Sequence, residues 1–396
     1  MSITLAQLLS EVTEKTRNST TGALDNTKRT RAINRTLQDL QDYADWEFTK
    51  RTKTFYFIDN VYEYNLKDYV GCSCQDNDGS TAILDFKNPY DLQPENDKSL
   101  DFKEVKPIRE NIRRNRFLRE YGIDNELLVI NYPRQVSAQI HNCDSLTANG
   151  AWSASGDASN LTIDDVIFDE GNGSLNFDTS AGTSLILTNS TLNSLDLEDL
   201  QNQSHLTMKV WLPTITNFTS IRIRLGSSSA DYWEKTETVP AGNRDLEVGK
   251  NIFAFRWADG TETGTPDYSA VDYLQIVITY SSATTDTDFR IDDIRVAKEV
   301  EMKLDYYSLA MAKDAGGDYQ LEFNPDTVTQ TDTLLGTASR RCVVEGSAHE
   351  LFEIIGGKSE RDRTDSDAKY GVMKKELLKR TGHRIRRPLK VLNFRR

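Results

Sequence analysis

Cysteine and histidine are scarce in this chain of 396 residues, and each scarcity closes a class of function. The four cysteines are Cys72, Cys74, Cys143 and Cys342, and only the first two are neighbours. A lone Cys-x-Cys pair cannot complete a four-ligand zinc site, so free thiols in a reducing compartment are expected. The four histidines, His141, His205, His349 and His383, show no ligand spacing. No Gly-x-Ser-x-Gly or comparable nucleophile arrangement is present. Asp164-Asp165 and Asp292-Asp293 are adjacent pairs, which a strand should turn to opposite faces, so neither is expected to act as an acid–base pair. An enzyme is not expected. No apolar run approaches the roughly 20 residues of a membrane span, and MSITLAQLLSEV lacks the basic start of a secretion signal; it reads as a helix capped by Ser2 or Thr4.

Two fragments of known motifs also fail. Gly357-Lys358-Ser359 has Phe352 where a phosphate-binding loop needs glycine, and a helical pattern precedes it. Asp76-Asn77-Asp78-Gly79, set as a calcium loop, puts Cys74 at the first ligand position and Asp85 at the last.

What the chain does have is an uneven distribution of charge. Of the net −13, residues 141–298 hold 23 Asp and Glu against 10 Lys and Arg, so the remainder is neutral. Lys374 to Arg396 carries 10 basic residues against Glu376 alone. The tail interleaves Arg384, Arg386, Arg387 and Lys390 with Ile385, Leu389 and Phe394. Such a segment can neutralise phosphates, or it can bury side chains in a partner protein, which the apolar residues favour.

The chain's texture changes twice. Ile33, Leu37, Leu40 and Ala44 line one helical face, followed by the aromatics Tyr43, Trp46 and Phe48. Residues 52–68 read as a hairpin turning at Asp59-Asn60, Ile108 to Tyr121 as a basic helix, and Glu126 to Asn131 as a buried strand. From His141 to Lys298 the sequence is rich in Ser, Thr, Asn, Asp and Gly with alternating strands, which predicts an all-β sandwich. Helical texture returns after Glu299: Val343, Ala348, Leu351, Phe352 and Ile355 share one face, then Tyr370, Met373 and Leu377 share another. The fold class is therefore α+β, a discontinuous helical and β domain interrupted by a sandwich. The division is residues 1–140 and 299–380 for the split domain, 141–298 for the insert and 381–396 for the basic tail. In the insert, Trp152, Tyr232, Trp233, Trp257 and Tyr268 are either core packing or aromatic faces for a sugar, with Trp152 and Trp233 taken as the glycan contacts.

The stretch RAINRTLQDLQDYADWEF, the TFYFIDNVYEYNLKD segment and the later MKLDYYSLA, DTLLG, AHELFEIIGG and YGVMKKELLKR resemble the head–tail connector (adaptor) proteins of tailed bacteriophages. The resemblance covers roughly residues 20–135 and 299–380. It implies a virion neck protein made in the bacterial cytoplasm, with twelve copies in a ring between the portal protein and the tail or next neck ring. DNA would pass through without specific binding, and no membrane partner is implied. The tail from Lys379, with Arg384, Ile385, Arg386, Arg387, Leu389, Lys390 and Phe394, would then enter the portal. The insert is similar to jelly-roll carbohydrate-binding modules, through Gly173 to Phe177 and Phe289 to Val296. That resemblance implies no required cofactor but an optional structural calcium at Glu170 and Asp293, with Asp144 a weaker third ligand. The other function in view is a glycan-binding adhesion protein of the virion surface, with the jelly roll as its active module.

Overall fold

The computed structural model describes residues 3–16, 25–76, 81–94, 102–104, 119–131, 137–325, 331–355 and 360–384. The chain divides into two compact units. One contains Met1–Thr54, Leu66–Gln93 and Lys303–Arg396; the other contains Phe55–Asn65 and Pro94–Met302.

Among the described residues the first unit is built on four helices. Helix α1, Leu5–Thr16, begins with a reciprocal cap: Gln7 N–H donates to Thr4 Oγ1 (3.3 Å) and Thr4 N–H to Gln7 Oε1 (3.0 Å). Helix α2, Asn26–Tyr43, is capped by Asp25, whose side chain accepts from Lys28 N–H. Helices α3, Arg340–Ile355, and α4, Glu360–Thr381, come from the far end of the chain. Helix α3 packs against α1, α2 and α4. One apolar cluster accordingly joins Leu8, Ile33, Leu37 and Leu40 to Val343, Leu351 and Leu377. Each fully buried Leu or Ile there contributes roughly 1.5–3 kcal/mol. Helix α2 stops at Tyr43, and Ala44–Trp46 becomes a strand antiparallel to Gly382–Arg384. Trp46 is buried and stacks on Tyr43 and Phe48, which seals the end of the helix. Asn34 clasps the later half of this unit: its side chain donates to Phe323 C=O (2.7 Å) and accepts from Phe323 N–H (3.1 Å). The pairing satisfies four polar groups in a dry site, where leaving one bare costs about 1–3 kcal/mol.

The expected hairpin over 52–68 does not form. Lys50–Phe57 belongs to a three-stranded sheet with Val300–Tyr307 and Asn88–Pro94, whereas Glu63–Asn65 pairs with Leu127–Asn131. The cause is local. Ile58 N–H donates to the Tyr64 hydroxyl (2.9 Å), which donates in turn to Val61 C=O (2.9 Å). The Tyr64 ring thus folds into the turn and sends the two segments apart. Leu127–Asn131 and Val300–Tyr307, the strands before and after the sandwich, lie in different sheets. Glu120–Asp124 is a strand, so a helix cannot extend to Tyr121; residues 108–118 of that expectation lie outside the described residues. So do Ile385, Arg386, Arg387, Leu389, Lys390 and Phe394, while the backbone of Arg384 pairs with Ala44.

The second unit is dominated by a β-sandwich. Its strands are β1 Ser137–His141, β2 Trp152–Gly156, β3 Ala158–Asp164, β4 Ser174–Thr179, β5 Gly182–Asn189 and β6 Ser204–Leu212. They continue with β7 Phe218–Gly226, β8 Tyr232–Glu237, β9 Gly249–Arg256, β10 Thr261–Thr263, β11 Tyr273–Thr284 and β12 Phe289–Lys298. One sheet runs β3-β4-β12-β6-β9, with β1 also paired to β12. The other runs β2-β5-β11-β7-β8-β10. The core is the alternate set of each strand: Leu206, Met208 and Val210 from one sheet, Ile221, Ile223, Ile276 and Ile278 from the other.

Candidate functional site

Alternation assigns the remaining residues of the second sheet to its outer face. In register, Arg222 stands beside Val277 and Thr236, and Arg224 beside Gln275 and Glu234. Gln275 in turn stands beside Thr188, and Tyr232 beside Gly226 and Thr263. Directly opposed side chains touch across antiparallel strands, so these positions form rows. One row is continuous across four strands. Gln275 Nε2 donates to Thr188 Oγ1 (3.1 Å), Arg224 Nη1 donates to Gln275 Oε1 (3.1 Å), and Arg224 Nε donates to Glu234 Oε2 (2.8 Å). The Arg224 guanidinium also lies 4.5 Å from the Tyr232 ring centroid, which fixes both groups. Tyr232 and Tyr273 have centroids 6.5 Å apart. Gly226 between them has no room for a side chain, since a Cβ would come within 2.9 Å of Tyr232 Cβ. Burial pushes the Tyr273 phenol up, so it remains a hydrogen-bond donor across the physiological range. Val277, 4% exposed, floors the face beside Ile186.

The two tryptophans expected to contact a glycan face the other way. Trp233 is 1% exposed, stacks on Trp257 at 5.1 Å and donates from Nε1 to Trp257 C=O (2.9 Å). Trp152 is 7% exposed and donates from Nε1 to His141 Nε2 (3.0 Å). Both belong to the sandwich core, and Trp257 and Tyr268 are buried with them. The expectation is therefore corrected: Tyr232 alone of the five aromatics named from the sequence lies on the outer face. Arg222, Arg224, Gln275 and Tyr273 were not singled out from the sequence. The period-2 spacing of Arg222 and Arg224 within an apolar strand was the available signal.

Glu170, Asp293 and Asp144 surround a second feature at the edge of the other sheet. Strand β12 carries a bulge where its register with β6 shifts, and Asp293 there has φ +50°. At this bulge Asp292 meets the loop of residues 165–173 directly and Asp293 is linked to it through Lys209 and Arg295, a departure from the plain alternation expected of a strand. Asp292 Oδ2 accepts from Asp169 N–H (2.7 Å) and Glu170 N–H (3.1 Å). Asp144 Oδ1 accepts from Asn172 N–H (2.7 Å) and Gly173 N–H (3.0 Å), passing Gly171, where a Cβ would strike its carboxylate. Asp293 is held by Lys209 Nζ (2.7 Å) and by Arg295, while Lys209 also reaches Asp169 and Arg295 reaches Glu170. Burial pushes Asp293 up, but the Lys209 and Arg295 bonds outweigh it and the carboxyl sits below its ordinary range. Burial pushes the Asp292 carboxyl up, and its Oδ1 has no hydrogen-bond partner among the described residues.

These donors do not fit a calcium ion. Calcium takes roughly six to eight oxygen ligands, whereas the groups turned toward Asp144, Asp292 and Asp293 here are N–H donors. A divalent cation would have to displace two ammonium and guanidinium partners and face backbone N–H dipoles. Among the described residues no group of three His, Cys, Asp or Glu side chains is arranged to hold a metal.

No protein-family model matches the chain, and no curated protein matches it. Among solved structures it is similar to carbohydrate-binding-module β-sandwiches. A family 11 module from Clostridium thermocellum, in complex with a β-1,3-1,4-mixed-linked tetrasaccharide, is 10% identical with TM-score 0.28, covering 41% of this chain and 95% of that one. The family 30 module of a C. thermocellum cellulosomal cellulase is 14% identical with TM-score 0.31, covering 41% and 98%. An exo-β-agarase is 13% identical with TM-score 0.29, covering 41% of this chain and 25% of its own. No residue is carried across at such identities.

Proposed function

We propose that the sandwich is a glycan-binding module and that the outer face of the β2-β5-β11-β7-β8-β10 sheet is its binding surface. The carrying observation is the interlocked row from Thr188 through Gln275 and Arg224 to Glu234, with the Tyr232 ring set against it. A sugar ring presents an apolar face and a rim of hydroxyls. An aromatic ring beside paired donors and acceptors, each held by its neighbour, meets both at little cost in side-chain entropy. A sheet face that is only solvated has no need to lock its arginine between a carboxylate, an amide and an aromatic ring.

The test is affinity electrophoresis of the full chain against a panel of soluble polysaccharides, with calorimetry on any that retard it. Tyr232→Ala should weaken binding by about tenfold or more, the worth of one stacking contact. Its melting temperature should stay near wild type, because the ring lies outside the core. Failure of every polysaccharide to bind, or binding indifferent to Tyr232, would remove the proposal.

A second reading concerns the helical unit. The packing of α1 and α2 against α3 supports a single body closed from both ends of the chain, as the connector resemblance implies. On that reading the unit forms a ring at the virion neck, seated on a portal protein through the basic tail, and the sandwich is its glycan-binding appendage. Electron microscopy of the purified protein with and without portal should show closed rings that join it. Truncation after Thr381 should abolish joining while leaving a folded protein; normal joining would sink the idea.

A further inference from the structure

We infer that the glycan taken by this face is anionic, and that Arg222 is the residue that reads its charge. This rests on the glycan-binding reading above and narrows its ligand. The sandwich region is strongly acidic, with 23 Asp and Glu against 10 Lys and Arg over residues 141–298. Its basic side chains are largely spent on its own carboxylates: Lys209 on Asp293 and Asp169, Arg290 on Asp164, Arg256 on Glu299. The outer face of the second sheet is the exception. There Arg222 and Arg224 share one carboxylate, Glu234. Arg224 takes it at 2.8 Å, leaving Arg222 Nε 3.8 Å away, beyond hydrogen-bond reach. Arg222 Nε is buried and has no hydrogen-bond partner among the described residues, while the side chain as a whole is 34% exposed.

A guanidinium so placed is positive and incompletely paired. Its register neighbour Val277, with Ile186 on the next strand, gives it an apolar floor that lowers the local polarity. Arg222 stands four residues along the strand from Gly226, the register partner of Tyr232, so an anionic group on a saccharide chain running along the face from Tyr232 would complete the pairing with a charge-assisted bond. The shared chemistry is a monoanion on a saccharide ring, either a uronate carboxylate or a sulfate ester.

The experiment measures binding of the full chain to polygalacturonate, dextran sulfate and neutral mixed-linked β-glucan, for wild type, Arg222→Gln and Arg222→Lys. Wild type should prefer one of the two polyanions to the neutral glucan. Arg222→Gln should lose about 10- to 100-fold on that polyanion and nothing on the glucan, and Arg222→Lys should restore part of the loss. Polygalacturonate or dextran sulfate as the preferred chain identifies carboxylate or sulfate. Binding of polyanions that ignores Arg222 would place them on the basic tail and overturn the inference. Equal binding of neutral and anionic chains, or equal loss on both in Arg222→Gln, would overturn it while leaving a glycan-binding face. No glycan bound at all would remove both.

Discussion

Trp233→Ala should destabilise the sandwich by about 3–5 kcal/mol, the usual cost of emptying a buried tryptophan site. Tyr232→Ala, one residue away, should cost less than about 1 kcal/mol. The two side chains leave strand β8 on opposite faces. Trp233 fills the space between the sheets against Trp257 and satisfies its indole N–H on Trp257 C=O; Tyr232 stands outside over Arg224. A loss of that size is a large part of the 5–15 kcal/mol typical of whole domains. Differential scanning calorimetry of the full chain, with near-ultraviolet circular dichroism to follow the sandwich aromatics, reads both variants. A Trp233→Ala protein that melts like wild type but no longer binds glycan would reinstate that tryptophan as a contact residue.

Acidification from pH 7 to pH 5 should cost the same unit about 3–4 kcal/mol, before its carboxylates begin to titrate in the unfolded chain. His141 and His205 are both buried. Burial pushes His141 down to about 4, against the smaller opposing effects of a bond to the Asn149 backbone and of Asp144. Burial and the Arg256 charge push His205 down to about 3. Glu299 lies 3.8 Å from His205 Nδ1 and would favour the charged ring, but it is already held by Arg256 through both oxygens. The folded values lie below the unfolded value near 6.5, so the unfolded chain binds more protons throughout this interval. The stabilisation is therefore complete above pH 6.5 and is lost as pH falls toward the folded values. Each ring accounts for about 2 kcal/mol at pH 5. The upward-shifted Asp292 and Glu299 act in the opposite sense, since protonation relieves their burial. Urea titrations at the two pH values give the total. His141→Gln and His205→Gln isolate the rings, each expected to flatten the profile by about half. His141→Gln and His205→Gln proteins whose pH profiles match the wild type would show that the rings are not held neutral.

The acid effect and the tryptophan effect both come from residues visible in the sequence whose surroundings were not. Four histidines without ligand spacing give no expectation of a histidine-ligated metal site, yet spacing says nothing of burial. His141 and His205 owe their shifts first to burial: His141 is packed against Trp152, 11 residues on, and His205 also feels the charge of Arg256, 51 residues on. The Lys209, Asp293 and Arg295 knot tells the same story. The Asp-Asp pair was legible, but the bulge that ties one carboxylate to the loop and the other to Lys209 and Arg295 depends on the pairing of β12 with β6.

By itself the sequence determined the helical stripe from Ile33 to Leu40, the all-β texture between His141 and Lys298, and which residues of each strand share a face. Those are local patterns with periods of 3.6 and 2, and neighbouring residues suffice to set them. Only the tertiary structure decided which face is buried, because strand β8, reading Tyr-Trp-Glu-Lys-Thr-Glu, has an aromatic in each phase and its pattern is ambiguous. Only strand order could bring Thr188, Arg222, Arg224, Glu234 and Gln275 onto one surface, and strand order is set by pairings between segments far apart in the chain.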